Sequence, residues 1–136
     1  FKVLLIGDGP DHKKYVDLIK KYGLEENIAV LGKKLNPFPY YKISDAFVLT
    51  SNFEGYPVVF NESLVMNLPI ITTDVSDAKM DIDGKYGRVV SSDSDSFYLA
   101  MKEFVLNNEK IEDRFDPDDF NKEIIEKIDW MICDEN

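Results

Sequence analysis

The sequence predicts an α/β fold: a doubly wound parallel sheet with helices on both faces. Three observations carry that expectation. Short apolar runs alternate with segments of helical spacing along the chain, the order that builds parallel strands joined by helical crossovers. The run Pro69-Ile70-Ile71-Thr72-Thr73 is β-branched and continuous rather than alternating, as strands covered on both faces are. Turns rich in glycine and proline follow the apolar runs, and in such sheets ligands bind beyond the carboxyl ends of the strands.

Lys2-Val3-Leu4-Leu5-Ile6 reads as the first buried strand. Gly7-Asp8-Gly9-Pro10 turns the chain after it. The two glycines suggest a dinucleotide-binding loop, but the Gly-x-Gly-x-x-Gly pattern fails because His12 stands in the third glycine's place. His12 reads as an exposed turn residue. Residues 11–22 set Tyr15, Leu18, Ile19 and Tyr22 at helical spacing, and Gly23 ends that helix. Asn27-Ile28-Ala29-Val30-Leu31-Gly32 is the second strand, which passes through Lys33-Lys34 into a loop. Pro37-Phe38-Pro39-Tyr40-Tyr41 starts a short helix that ends before Asp45, its aromatics read as packing residues. Ala46 to Thr50 is the third strand.

The stretch Glu54-Gly55-Tyr56-Pro57-Val58-Val59-Phe60-Asn61-Glu62 comes next and sets two carboxylates eight positions apart. Gly55 supplies turn freedom and Pro57 fits the first helical position. The amides of Val58, Val59 and Phe60 are then expected to lack intrahelical partners, which makes an anion-attracting helix end. A carboxylate just before a phosphate site suits sugar hydroxyls rather than phosphate, because it accepts several hydrogen bonds from them. Glu62, about a turn and a half on, is placed for a second hydroxyl pair such as a ribose diol. Leu64, Val65, Met66 and Leu68 complete the helix, and Pro69 to Thr73 form the fourth strand.

Val75 to Gly84 reads as a polar surface loop; its Asp77, Asp81 and Asp83 lack the spacing of a calcium loop. Tyr86-Gly87-Arg88-Val89-Val90 is a last strand, Ser91 to Ser96 offers helix caps, and Phe97 to Leu106 is an amphipathic helix. Asp116 to Ile132 is expected to form another, with Phe120, Ile124, Ile125 and Ile128 as its apolar face.

The length of 136 residues predicts a single domain over 1–136. One cysteine, Cys133, excludes a disulfide framework within the chain and suits a reducing cytoplasm. The formal net charge is -10, and residues 103–136 hold twelve acidic against four basic side chains. That acidic tail reads as a solvated helix face, and no basic stripe for nucleic acid is present. No apolar run is long enough to span a membrane as a helix.

The order strand, Ser51-Asn52-Phe53-Glu54-Gly55-Tyr56-Pro57 to Glu62, helix, Pro69-Ile70-Ile71-Thr72-Thr73-Asp74-Val75 resembles the C-terminal, donor-binding domain of family 4 glycosyltransferases of the GT-B fold, a Rossmann-like architecture. The leading Leu4-Leu5-Ile6-Gly7-Asp8-Gly9-Pro10 block strengthens the likeness, which runs from about Val3 to Val90. The resemblance implies a retaining transfer of a sugar from a nucleotide-diphosphate donor to a glycan or lipid-linked acceptor. It implies that Glu54 is catalytic and holds donor-sugar hydroxyls, that Glu62 holds the ribose, and that the Gly55–Phe60 segment, with Tyr56 and Pro57, lies along the donor. Gly32 and Lys33 are implied beside the nucleobase. Neither a metal nor an organic cofactor is implied.

The family's domain begins with a further strand and helix, carrying an Arg and a Lys, before the block that opens this sequence. The chain is therefore expected to be a fragment, without that unit and without the acceptor-binding N-terminal domain, inactive alone and prone to self-association through exposed strand edges. Where family members place a Gly-Gly pair near the phosphates, this chain has Ser76-Asp77-Ala78. The expected location is cytoplasmic, at the inner face of the membrane in the complete protein. A sugar-nucleotide epimerase of GT-B fold and a non-catalytic α/β nucleotide-binding module are the alternatives. A receiver domain fits less well, because Asp8 is a single acid at the first strand end and the middle strand ends in Thr50-Ser51.

Overall fold

The structure is a computed structural model, and it describes residues 1–52, 55, 57–74, 82–107, 115–122 and 125–126. The chain divides into two compact units, 1–40 and 41–136.

In the first unit, β1 (Val3–Ile6) and β2 (Ile28–Gly32) pair in parallel, joined by α1 (His12–Lys21), which packs on β2. A register shift after Leu5 sets Ile6 opposite Gly32, and the Gly7 amide donates to the Gly32 carbonyl at 3.1 Å. Gly32 has φ +67, and nothing lies within 4 Å of where a Cβ would stand. Glycine is thus required there by backbone conformation, since other residues avoid that region. Helix α1 ends as the sequence predicts. Gly23 takes φ +64, its amide donates to Lys20 and the Leu24 amide to Ile19, a Schellman closure. The buried face differs from expectation. Ile19 is buried and Val16 half-buried, whereas Tyr15, Leu18 and Tyr22 are exposed. Helical spacing alone cannot say which apolar stripe is covered.

In the second unit, β3 (Phe47–Leu49), β4 (Ile70–Thr73) and β5 (Gly87–Val90) form a parallel sheet in that order. β4 is central and buried at every residue, as its unbroken β-branched run requires. Helix α2 (Phe38–Tyr41) precedes β3 and only its last residue, Tyr41, belongs to this unit; α3 (Val58–Val65) packs on β4, and α4 (Ser94–Asn107) packs on β4 and β5. Helix α3 closes with Asn67 in the left-handed region at φ 54, the Leu68 amide reaching the Ser63 carbonyl and the Asn67 amide that of Leu64. The core joins Phe60 and Leu64 of α3, Ile70 of β4, Ile82, Tyr86 and Phe115. Burying these apolar side chains contributes roughly 1.5–3 kcal/mol each relative to exposure. Ile82 is fully buried although the sequence reads as a polar loop there. Its neighbours in sequence, Asp81 and Asp83, are polar, but among the described residues of the turn into β5, 82–86, it is the one aliphatic side chain.

The late helix is described at 117–122 and 125–126. Asp116 starts it, accepting the Asp118 amide at 2.9 Å. Phe120 packs on the core, whereas Ile125, expected on the apolar face, is exposed. Ile124 and Ile128 lie outside the described residues.

Candidate functional site

The β4 strand ends at Thr73, and Ser51 follows the end of β3. The Thr73 hydroxyl donates to the Ser51 carbonyl at 2.7 Å, so the two strand ends are tied where the loop toward α3 departs. That loop reaches Pro57, which is buried and caps α3 with φ -69 and ψ 118. The sequence places Pro57 inside the helix; the structure places it one position earlier, its carbonyl serving as the first acceptor.

That carbonyl receives the Phe60 amide at 3.0 Å. The expectation of three open amides is therefore corrected: the Phe60 amide is engaged and its ring is core, 1% exposed. Among the described residues, nothing accepts from the Val58 and Val59 amides. They carry the positive end of the helix dipole. The Val58 side chain is 70% exposed, whereas Val59 packs against the core. The helix stays in place because its opposite side, Phe60, Ser63 and Leu64, is buried.

Glu62 is half-buried on α3. Its Oε2 accepts the Tyr41 hydroxyl at 2.9 Å, across 21 residues of sequence. Tyr41 is buried at the end of α2, its ring edge-on to Phe47 at 5.8 Å, and Phe47 is edge-on to Phe60 at 6.5 Å. Burial first, and then the bond to Glu62, push the Tyr41 phenol well above the usual range, while Ser63 pulls weakly the other way. Tyr41 thus stays a donor throughout physiological pH. Tyr41 and Thr73 are the residues that motif reading missed. Neither has a spacing signal, because the contacts through which each acts are made only on folding.

The other expected residues divide as follows. Gly32, half-buried, and Lys33, exposed, lie at the end of β2 in the first unit. Gly55 is exposed with open space about it. Glu54 and Tyr56 lie outside the described residues, as do 75–81, which include Ser76, Asp77 and Ala78. Among the described residues no group of three or more metal-ligating side chains occurs, and no helix is long and apolar enough to cross a membrane.

A model of the family "Glycosyl transferases group 1" matches residues 1–129. The amylovoran biosynthesis glycosyltransferase AmsD of Erwinia amylovora is 30% identical over 115 residues, 85% of this chain and 33% of that protein. A Campylobacter jejuni N-acetylgalactosaminyltransferase acting on a diphospho-undecaprenol substrate is 28% identical over 112 residues, 81% of this chain and 31% of that protein. Among solved structures, the lipopolysaccharide outer core galactosyltransferase WaaB superposes with a TM-score of 0.71 at 24% identity, over 93% of this chain and 41% of that one. Anabaena HepE, solved with UDP, superposes with a TM-score of 0.71 at 20% identity, over 94% of this chain and 40% of that one. The chain belongs to the group 1 glycosyl transferases, and its fold is the Rossmann-like α/β architecture of GT-B enzymes. It spans a third or less of the length of the curated relatives it matches.

Proposed function

We propose that this chain is the donor-binding part of a retaining glycosyltransferase, which moves a sugar from a nucleotide-diphosphate-sugar to a glycan or lipid-linked acceptor. The observation that carries this reading is the start of α3: two amides at a helix N-terminus that have no partner among the described residues, followed on the same helix by a carboxylate held in one orientation by a buried phenol. Helix amides suit a diphosphate, and a fixed carboxylate suits a vicinal diol. The donor diphosphate lies at Val58 and Val59, and its ribose on Glu62. Glu54 takes the sugar hydroxyls and serves as the catalytic carboxylate, with Gly55, Tyr56 and Pro57 lining the approach. The amides, together with basic residues elsewhere in the complete protein, offset the charge that develops on the leaving diphosphate, so the step needs no metal.

The relatives support the substrate class, since those named act in the assembly of polysaccharides and lipid-linked sugars. The chain spans a third or less of the length of these relatives, and the reading assigns to its 136 residues donor binding without transfer. The complete protein works in the cytoplasm, at the inner face of the membrane where lipid-linked acceptors lie.

Calorimetric titration of this chain with uridine 5′-diphosphate tests the reading. Glu62→Gln is expected to weaken binding about tenfold, the loss of one charge-assisted hydrogen bond. Equal affinity in the two proteins would remove Glu62 from the nucleotide site.

A further inference from the structure

We propose that Tyr41 is a positioning residue for the donor: its hydroxyl fixes the Glu62 carboxylate so that the remaining oxygen meets the ribose, and Tyr41 thereby sets selectivity for ribose over deoxyribose. This rests on the reading of Glu62 as the ribose ligand.

Glu62 projects from a helix and is only half-buried, so its side chain would otherwise exchange among rotamers. Among the described residues, the Tyr41 hydroxyl is its one hydrogen-bond partner. That bond occupies Oε2 and leaves Oε1 as an acceptor. A phenol is a strong choice for this work. It is held by a buried ring rather than a flexible stem, and the ring is fixed edge-on by Phe47, which is itself edge-on to Phe60 of the helix that carries Glu62. The three rings and the hydrogen bond form a closed loop from α2 through β3 to α3 and back. Displacing any member shifts the carboxylate relative to the Val58 and Val59 amides four and three residues before it. A ligand that spans both, diphosphate at one end and diol at the other, reads that separation directly. A ligand lacking the 2′-hydroxyl does not use the fixed oxygen fully and gains less from the phenol.

A purely structural Tyr41 would satisfy the same contacts, so the test needs a readout that stability does not move. The 136-residue chain is titrated with uridine 5′-diphosphate and its 2′-deoxy analogue, as wild type, Tyr41→Phe, Glu62→Gln and the double variant, with melting temperatures recorded for each. The wild type should prefer the ribose form by about tenfold, Tyr41→Phe by about threefold or less, and the double variant should match Glu62→Gln alone. Incorporation of 3-fluorotyrosine at position 41, which keeps ring and hydroxyl, should retain the wild-type preference and guards against a Phe variant that folds poorly. If Tyr41→Phe keeps the full preference while Glu62→Gln loses it, the positioning role is overturned and the ribose reading stands. If Glu62→Gln leaves the preference unchanged, or if no binding at α3 is seen, both are overturned.

Discussion

Gly87 sits opposite Ile70 where β5 joins β4. A Cβ at Gly87 would lie 1.9 Å from the Ile70 carbonyl oxygen and 2.7 Å from its nitrogen, contacts that only backbone movement could relieve. Since β4 is the central strand, Gly87→Ala is expected to destabilise by roughly 3 kcal/mol or more, as backbone-blocking substitutions in cores do. Urea unfolding checks this; a loss under 1 kcal/mol would show that the strands part readily. Nothing in the sequence marks Gly87, because its need arises from a partner 17 positions away in the chain. The same holds for Tyr41 and Thr73. By contrast, Gly23 was legible, since a glycine after a run of helical spacing has a local reason to be there. Glu62 lies between: its residue type and spacing suggest a ligand, while the phenol that orients it appears only in three dimensions.

The elements follow the predicted order of strands and helices closely, because the sheet's apolar runs and the glycine or proline punctuation are local signals. Which helix face is buried was less legible. In α1 the tyrosines are exposed, and the covered side is Val16 and Ile19. Helix α4 shows how caps sharpen an end that spacing only locates. The Asp93 carboxylate accepts the Ser96 amide at 2.8 Å and the Asp95 amide at 3.1 Å. The bonds from Ser96 and then Asp95 hold its pKa below the ordinary value. A folded pKa lower than the unfolded one gives stability that is complete above the unfolded value, ~3.9, and is lost as pH falls through the folded value. Asp93→Asn keeps a capping oxygen but not the charge. The melting temperature of the wild type is therefore expected to exceed that of Asp93→Asn at neutral pH, with the gap closing as pH falls below ~4. A gap that persists unchanged in acid would mean the charge is not the source of the effect.

At the scale of the molecule, the α/β class was legible in the alternation of elements and the family in the Ser51-to-Glu62 motif, which the family match over 1–129 supports. Ile82 and Phe115 carry no local core signal, because each stands among polar neighbours and is buried only once the cluster with Phe60, Leu64 and Ile70 forms. The formal charge of -10 works against a diphosphate at long range, though salt screens this beyond ~8 Å. On the proposed reading, the binding that remains comes from the local field at α3. Affinity in the millimolar class, about -4 kcal/mol, is therefore expected for a free nucleoside diphosphate. The most direct measurement is an amide-resolved NMR titration of this chain with uridine 5′-diphosphate. The largest shifts should fall on Val58, Val59 and Glu62 at the start and middle of α3, and saturate together. Shifts confined to other elements, or none at millimolar ligand, would contradict the placement of a nucleotide-sugar donor on this helix.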